Sequence, residues 1–235
     1  MKVALMQPYF FPYLGYFQLI NSVDEFVIFD NAQYIRRSWI TRNRILNAHK
    51  ESIYIKVPVS KAPRKTKIKD ILINNDMNWK EKILHQLLYY KDAPNYPIVI
   101  KFVEECFTFD DYNLSSFNTL LLRKICNLFD IKTEISLLSE RLPKIDEVEE
   151  ADEWGIKVSK ALNAKTYINA IGGKEFYNQQ KYIDNGLTIQ FINPKLDQYK
   201  QYKQLFVPGL SIIDVMMFNE LDTIKKMINV NELVN

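Results

Sequence analysis

Apolar residues run together in Lys2–Met6 (KVALM) and again over residues 25–29 (EFVIF), the signature of short strands buried on both faces. Between them residues 13–23 carry helical spacing, with Leu14, Phe17, Leu19 and Ile20 as the packing stripe. Strand, turn, helix and strand in that order open a parallel α/β sheet. Residues 52–59 (SIYIKVPV) read as a third strand, halted by Pro58 and a basic loop. Residues 78–91 form an amphipathic helical pattern, with Asn78 or Asp76 as N-cap and Ala93-Pro94 just past its end. Helical patterns follow over 97–107 and 114–129, then a strand over 133–138, a helix over 148–162 and strands over 165–169 and 188–192. Residues 211–219 and 221–229 close the chain as helices. No fixed-period repeat and no Gly/Ser-rich linker divides it. The expectation is a three-layer, mostly parallel α/β domain of Rossmann-like type over residues 1–195. A C-terminal helical segment over 196–235 packs on it. The strands at Lys2–Met6, 25–29 and 165–169 are expected to be parallel neighbours, and so to end on one edge of the sheet.

Composition narrows this picture without changing it. A chain of 235 residues that is 47% apolar and 25% charged buries a core without disulfide or metal staples. Two cysteines, Cys106 and Cys126, and two histidines, His49 and His85, offer no metal motif and point to a reducing compartment. The start, MKVALMQPYFFPYLGYFQLI, has Gln7, Pro8 and Pro12 where a signal peptide needs an unbroken apolar stretch. No run of 18 apolar residues is long enough to cross a membrane. A cytoplasmic protein with no membrane partner is the expectation.

Charge is where the chain becomes specific. The net charge is only +3, yet residues 36–69 hold eleven Lys/Arg against one acid, Glu51. Residues 134–153 hold eight acids against Arg141 and Lys144. A basic excess confined to so short a segment reads either as a solvated basic loop or as a site for a small anionic substrate, a nucleotide or nucleotide sugar, rather than for a nucleic acid. Arg42 and Arg44, flanking Asn43, are the forks that would grip phosphate. Asp30, which follows the second strand, belongs to the same polar run.

The first turn, QPYFFPYLGY, sits where open α/β sheets bind ligands, with Gln7 and Tyr16 as hydrogen-bonding groups beside an aromatic wall. Its Leu14-Gly15 resembles the HIGH-type turn of nucleotidylyltransferases and pantothenate synthetases. Tyr13 and Tyr16 stand where those proteins carry histidines, so this resemblance implies fold and not ATP chemistry. Gly172 and Gly173 open a β–α turn whose amides, with Lys174, suit an anion, although an ordinary turn uses the same residues. His85 is the candidate general base, from a helix on which a structural or merely exposed role fits the pattern as well. Asp214, three residues after Ser211, reads as part of a helix cap or as an inward-facing carboxylate.

QPYFFPYLGYFQLI, EFVIFDNAQY, SWITRNRI, YINAIGGKEFY and FVPGLSIIDVMMFN together resemble the WbqC-like family of bacterial proteins, in the family's order and over nearly the whole chain. That family occurs among surface-polysaccharide (O-antigen, lipopolysaccharide) biosynthesis genes. The resemblance therefore implies modification of a nucleotide-linked sugar, with acylation of a sugar amine as the leading chemistry. An ATP-dependent nucleotidyl-transfer or carboxylate-activating ligase is one alternative, and a non-catalytic sugar-nucleotide binding protein is another. ATP or an acyl donor is compatible with each enzymatic reading.

Overall fold

The computed structural model describes residues 1–47, 49, 51–202 and 205–235. Ala48 and Lys50, in the polar loop around His49, and Lys203 and Gln204 lie outside the described residues. Eight strands occur among the described residues: β1 Lys2–Met6, β2 Glu25–Ile28, β3 Arg42–Leu46, β4 Ser52–Lys56, β5 Glu134–Leu137, β6 Thr166–Ala170, β7 Thr188–Pro194 and β8 Asn231–Val234. Six of them form one sheet in the order β5-β2-β1-β6-β7-β8, parallel throughout except for β8 at its edge.

The helices are α1 Leu14–Asn21, α2 Trp79–Leu87, α3 Tyr96–Phe107, α4 Leu114–Leu128, α5 Leu138–Arg141, α6 Glu153–Ala161, α7 Gln179–Asp184, α8 Ile212–Phe218 and α9 Leu221–Asn229. Two-residue alternation along the strands divides the core into two layers. Ala4, Phe26, Ile28, Ile168 and Ile192 pack in the layer that includes residues of α1, α4 and α9. Val3, Leu5, Val27, Tyr167 and Phe191 face the opposite layer, with residues of α6 and α7. The sheet is therefore covered on both faces, which its apolar strands require.

Two features depart from the periodicity. Residues 42–46 (RNRIL) form strand β3, although their polarity reads as loop. Residues 52–59 were expected as a strand, and Ser52–Lys56 is one. It pairs antiparallel with β3 in a separate two-stranded sheet, Arg42 opposite Lys56 and Arg44 opposite Tyr54. The physical reason is amphipathicity: β3 alternates Arg42 and Arg44 with buried Asn43 and Ile45, and such a strand suits a one-sided hairpin. At the chain's end, β8 adds to β7 because Phe191 and Ile192 still have a free edge to pair.

Strand order reverses at β1, with β2 and β5 on one side and β6 and β7 on the other. Because β1, β2 and β6 run parallel, the segments that leave Met6, Ile28 and Ala170 all start from one edge.

Candidate functional site

Polar side chains hold four carbonyls of the turn after β1, those of Gln7, Pro8, Phe10 and Phe11. Phe10 and Phe11 enter the core, and Phe11 adopts φ 38°, a left-handed value that an aromatic residue takes only when its surroundings impose it. Asn43 Nδ2 donates to the Phe10 and Phe11 carbonyls at 3.1 and 2.8 Å, and Ser211 Oγ donates to Phe11 O at 2.8 Å. Asn118 Nδ2 ties Pro8 O to Ile40 O, 2.8 Å from each. Phe10 N donates to Trp39 O at 2.9 Å. Gly15 admits the tight packing that follows: a Cβ there would lie 2.4 Å from the Tyr13 ring and 2.7 Å from Pro194 Cβ.

This scaffold carries the hairpin. The two-residue period places Arg42, Arg44, Tyr54 and Lys56 on one face and Asn43, Ile45 and Ile55 on the buried one. The Arg42 guanidinium lies 4.3 Å over the Tyr54 ring, and Arg44 sits 6.0 Å from Trp39, whose ring centroid is 6.3 Å from that of Tyr54. Cation–aromatic contacts of this kind fix long cationic side chains without neutralising them.

Two hollows flank the Trp39–Tyr54 pair. A cleft of about 760 Å³ between the hairpin and α2 is lined by Arg37, Arg42, Lys56 and Lys82, together with Thr41 and Gln86. No Asp or Glu among the described residues lines it, and none pairs with these four cations. Arg42 Nε is buried without a hydrogen-bond partner. Arg37 has φ 59°, so the backbone at the cleft's rim is held in an uncommon conformation. On the other side, a cup of about 200 Å³ is walled by Tyr9, Tyr13, Trp39 and Arg44. Burial raises the Tyr9 and Tyr13 phenols above their ordinary values, so both stay neutral donors at physiological pH.

Asp214 is fully buried and reaches the end of β3 through Tyr90. It accepts hydrogen bonds from Tyr90 Oη at 2.7 Å, from Gln201 Nε2 at 2.7 Å and from Tyr199 Oη. Tyr90 Oη in turn accepts from Leu46 N, at the end of β3. Ser211, the N-cap of α8, donates its backbone N–H to Arg44 O, and Ile212 N donates to Pro12 O, both at 2.8 Å. The segment before α8 thus clamps hairpin and turn together. Burial lifts the Asp214 carboxyl above the usual range, and its three donors oppose that rise.

Residues 7–226 match the WbqC-like protein family. The chain belongs to that family. It is also similar to the uncharacterized protein Rv1507c of Mycobacterium tuberculosis, 30% identical over 227 residues that cover 93% of each chain. No solved structure matches the chain. Within this WbqC-like chain, the residues singled out from sequence fall into three groups.

Arg42 and Arg44 share one hairpin face beside the aromatic turn. Tyr16, Asp30 and Asn43 are committed to internal bonds. Tyr16 Oη donates to the Gln7 carbonyl at 2.7 Å, and the buried Asp30 carboxylate accepts from Ser139 N at 3.0 Å and from the Ser139 hydroxyl. Asn43 accepts from Arg44 N as well as holding the turn. The Gln7 side chain is half-buried and makes no hydrogen bond among the described residues.

Gly172, Gly173 and Lys174 lie apart from the hairpin, in a 3-10 helix over Ile171–Phe176. Gly173 helps line a cavity of about 660 Å³ with Asn169, Tyr177, Glu150, Asp152 and Glu175. Lys181, the one lining cation among the described residues, contacts Glu150, Asp152 and Glu153. Lys174 bonds the Asn235 carbonyl. His85 is exposed on α2, and although Lys82 and Gln86 line the cleft, His85 does not.

Sequence reasoning passed over Arg37, Tyr54, Lys56 and Lys82 as individual site residues. The signal for two of them was present: R-x-R facing Y-x-K is the alternation of a hairpin with one cationic face.

Proposed function

We propose that this protein binds a nucleotide-linked sugar through its phosphates and acts as a transferase on it, within bacterial surface-polysaccharide assembly. One observation carries the reading: four cations line a cleft of about 760 Å³ with no carboxylate among the described residues lining it. Like charges are held together at a cost in repulsion, and an anionic ligand removes that cost. The parallel sheet whose order reverses at β1 supports a Rossmann-like ancestry for the scaffold. The ligand, however, is gripped by the hairpin that the chain inserts after β2.

The transfer we favour is acylation of a sugar amine by an acyl thioester: the nitrogen bonds to the acyl carbon, the carbon–sulfur bond breaks to release the thiol, and the amine's proton passes to a base. Guanidinium donors stabilise the oxyanion of such a step. His85, one residue from Gln86 of the cleft lining, is the imidazole nearest to it in sequence. The buried thiols of Cys106 and Cys126 and the cytoplasmic supply of nucleotide sugars favour a cytoplasmic setting. No described helix is long and apolar enough to cross a membrane. Duplex DNA is not the partner we propose, and its affinity is expected to be no better than about 10⁻⁴ M at physiological salt.

A thermal-shift panel of nucleotide-linked sugars, ATP and acyl-CoAs tests this reading. A bound ligand at about 100 times its Kd adds about 2.7 kcal/mol of stability. Stabilisation by a nucleotide-linked sugar, lost in Arg42→Ala, is the expected result. A response to ATP alone would transfer the protein to the ligase class.

A further inference from the structure

The cup beside the cleft has the features of a ring-binding pocket. Tyr9, Tyr13 and Trp39 wall it with aromatic faces, and no Asp or Glu among the described residues lines it. Its polar groups are only partly used. The hydroxyls of Tyr9 and Tyr13 have no hydrogen-bond partner among the described residues, and Arg44 Nε is buried without one. Arg44 spends one terminal nitrogen on the Gly209 carbonyl at 3.2 Å, which aims the group without neutralising it. The walls are also preorganised: Asn43, Asn118 and Ser211 pin the turn that carries both tyrosines. Rigid walls bind with less loss of freedom than mobile ones.

The cup is also placed to act together with the cleft. Arg42 and Arg44 are two residues apart on the same face of β3, one lining the cleft and the other the cup. The Trp39–Tyr54 pair, 6.3 Å between centroids, forms the partition.

We propose that the Tyr9–Tyr13–Trp39 cup is a subsite for an uncharged ring with hydrogen-bond-accepting oxygens, covalently joined to the phosphates held by Arg42 and its neighbours. This rests on the phosphate reading of the cleft and extends it to the other end of the ligand. The ring stacks on Trp39 and the tyrosines, and its oxygens accept from Arg44 and the two phenols. A nucleobase and a sugar ring both have this chemistry.

Calorimetric titration of the whole chain with pyrophosphate, uridine diphosphate, guanosine diphosphate, inorganic phosphate and glucose 1-phosphate separates the terms. Tryptophan fluorescence is read in parallel. Pyrophosphate is expected to bind, and to lose affinity in Arg42→Ala. A ring is expected to add about 10- to 100-fold over the matching bare phosphate, the range for one stacked base. That gain should disappear in Trp39→Leu while pyrophosphate affinity stays within about twofold, a control that also reports a folded protein. Ring-bearing ligands should quench Trp39 fluorescence and bare phosphates should not.

A gain for a nucleoside diphosphate over pyrophosphate assigns the cup to the base, and a gain only for glucose 1-phosphate over phosphate assigns it to the sugar. If pyrophosphate binds but no ring adds affinity, or the gain survives Trp39→Leu, the cup proposal is overturned and the cleft reading stands. If pyrophosphate and phosphate do not bind at all, the cleft reading falls and takes the joined subsite with it.

Discussion

Two cavities of similar size open on this molecule, about 760 and 660 Å³, and they handle charge in opposite ways. The one at the end of β6 lies on the sheet edge where open α/β folds bind ligands, and glycines and a lysine mark it in the sequence. Yet two of its three lining carboxylates among the described residues, Glu150 and Asp152, are already engaged by Lys181. Among the described residues, the cleft on the hairpin has no such carboxylate partner for Arg37, Arg42, Lys56 and Lys82. Position in the fold suggests the first cavity, and uncompensated charge singles out the second. A site is better recognised by what it leaves unsatisfied than by where it sits, because ligand binding is the step that completes it.

The largest expected effect tests the clamp on the end of β3 and the turn. Asp214→Ala strands three donors, those of Tyr90, Tyr199 and Gln201, in a buried setting. Each unsatisfied buried group costs about 1–3 kcal/mol, so a loss of roughly 3–9 kcal/mol in urea denaturation is expected, the upper part of which would unfold the protein. A loss below about 1 kcal/mol would show that hairpin and turn stand without this clamp.

Next comes the comparison itself. Arg42→Ala should weaken pyrophosphate or nucleotide-sugar binding by about 1.5–3 kcal/mol, the range for hydrogen bonds to a charged group. Global stability should hardly change. Lys181→Ala should leave that affinity unaltered and lower stability instead. Its ion pairs raise the Lys181 pKa in the folded state, so their contribution is fully present below the ordinary lysine value and is lost only as pH rises through the raised one. Equal effects of the two substitutions on anion binding would erase the distinction between the cavities.

Gly15→Ala probes the tie between turn and cup. Its new methyl would overlap the Tyr13 ring and Pro194, and overpacking of this kind costs about 1–3 kcal/mol. Since Tyr13 is the softer neighbour, the substitution should also reduce ring-dependent affinity while bare pyrophosphate binds as before. Isothermal titration of the two ligands on the one variant reads both parts. An unchanged ring contribution would detach the cup from the turn.

Much of the scaffold was legible in the sequence, and the reason is periodicity. The runs KVALM and EFVIF and the 165–169 and 188–192 segments are strands because parallel strands are apolar on both faces and stand out from any loop. The hairpin was only half legible. RNRIL hides its strand because three of its five residues are polar, and Asn43 both braces the turn and lines the cup. Asp30 and Tyr16 each hold a neighbouring group by an internal hydrogen bond, since a polar side chain at a strand end serves a nearby backbone as readily as a substrate. Arg37, Lys56 and Lys82 join the cleft from three separate segments, and only tertiary packing brings them together.

The smallest expected effect concerns pH and returns to the clamp. Burial raises the folded-state pKa of Asp214, while the unfolded carboxyl titrates near its reference value of about 3.9. Between those two values the native state binds the extra proton. The contribution of this group to stability is therefore fully present below about pH 3.9 and is lost as pH rises through the raised folded value. Tyr90 and Tyr199 do not offset this, since burial and the carboxylate push both phenols upward and keep them protonated. Asp214→Asn removes the titration while keeping an oxygen for Tyr199 and Gln201, which both reach Oδ1; only the Tyr90 bond to Oδ2 is disturbed. That variant should cost about 1 kcal/mol, the value of one hydrogen bond. Urea midpoints measured from pH 4 to pH 8 should show wild type losing its advantage over Asp214→Asn as pH rises. Parallel curves across that range would mean that Asp214 does not change its protonation there, and that the clamp holds one charge state throughout.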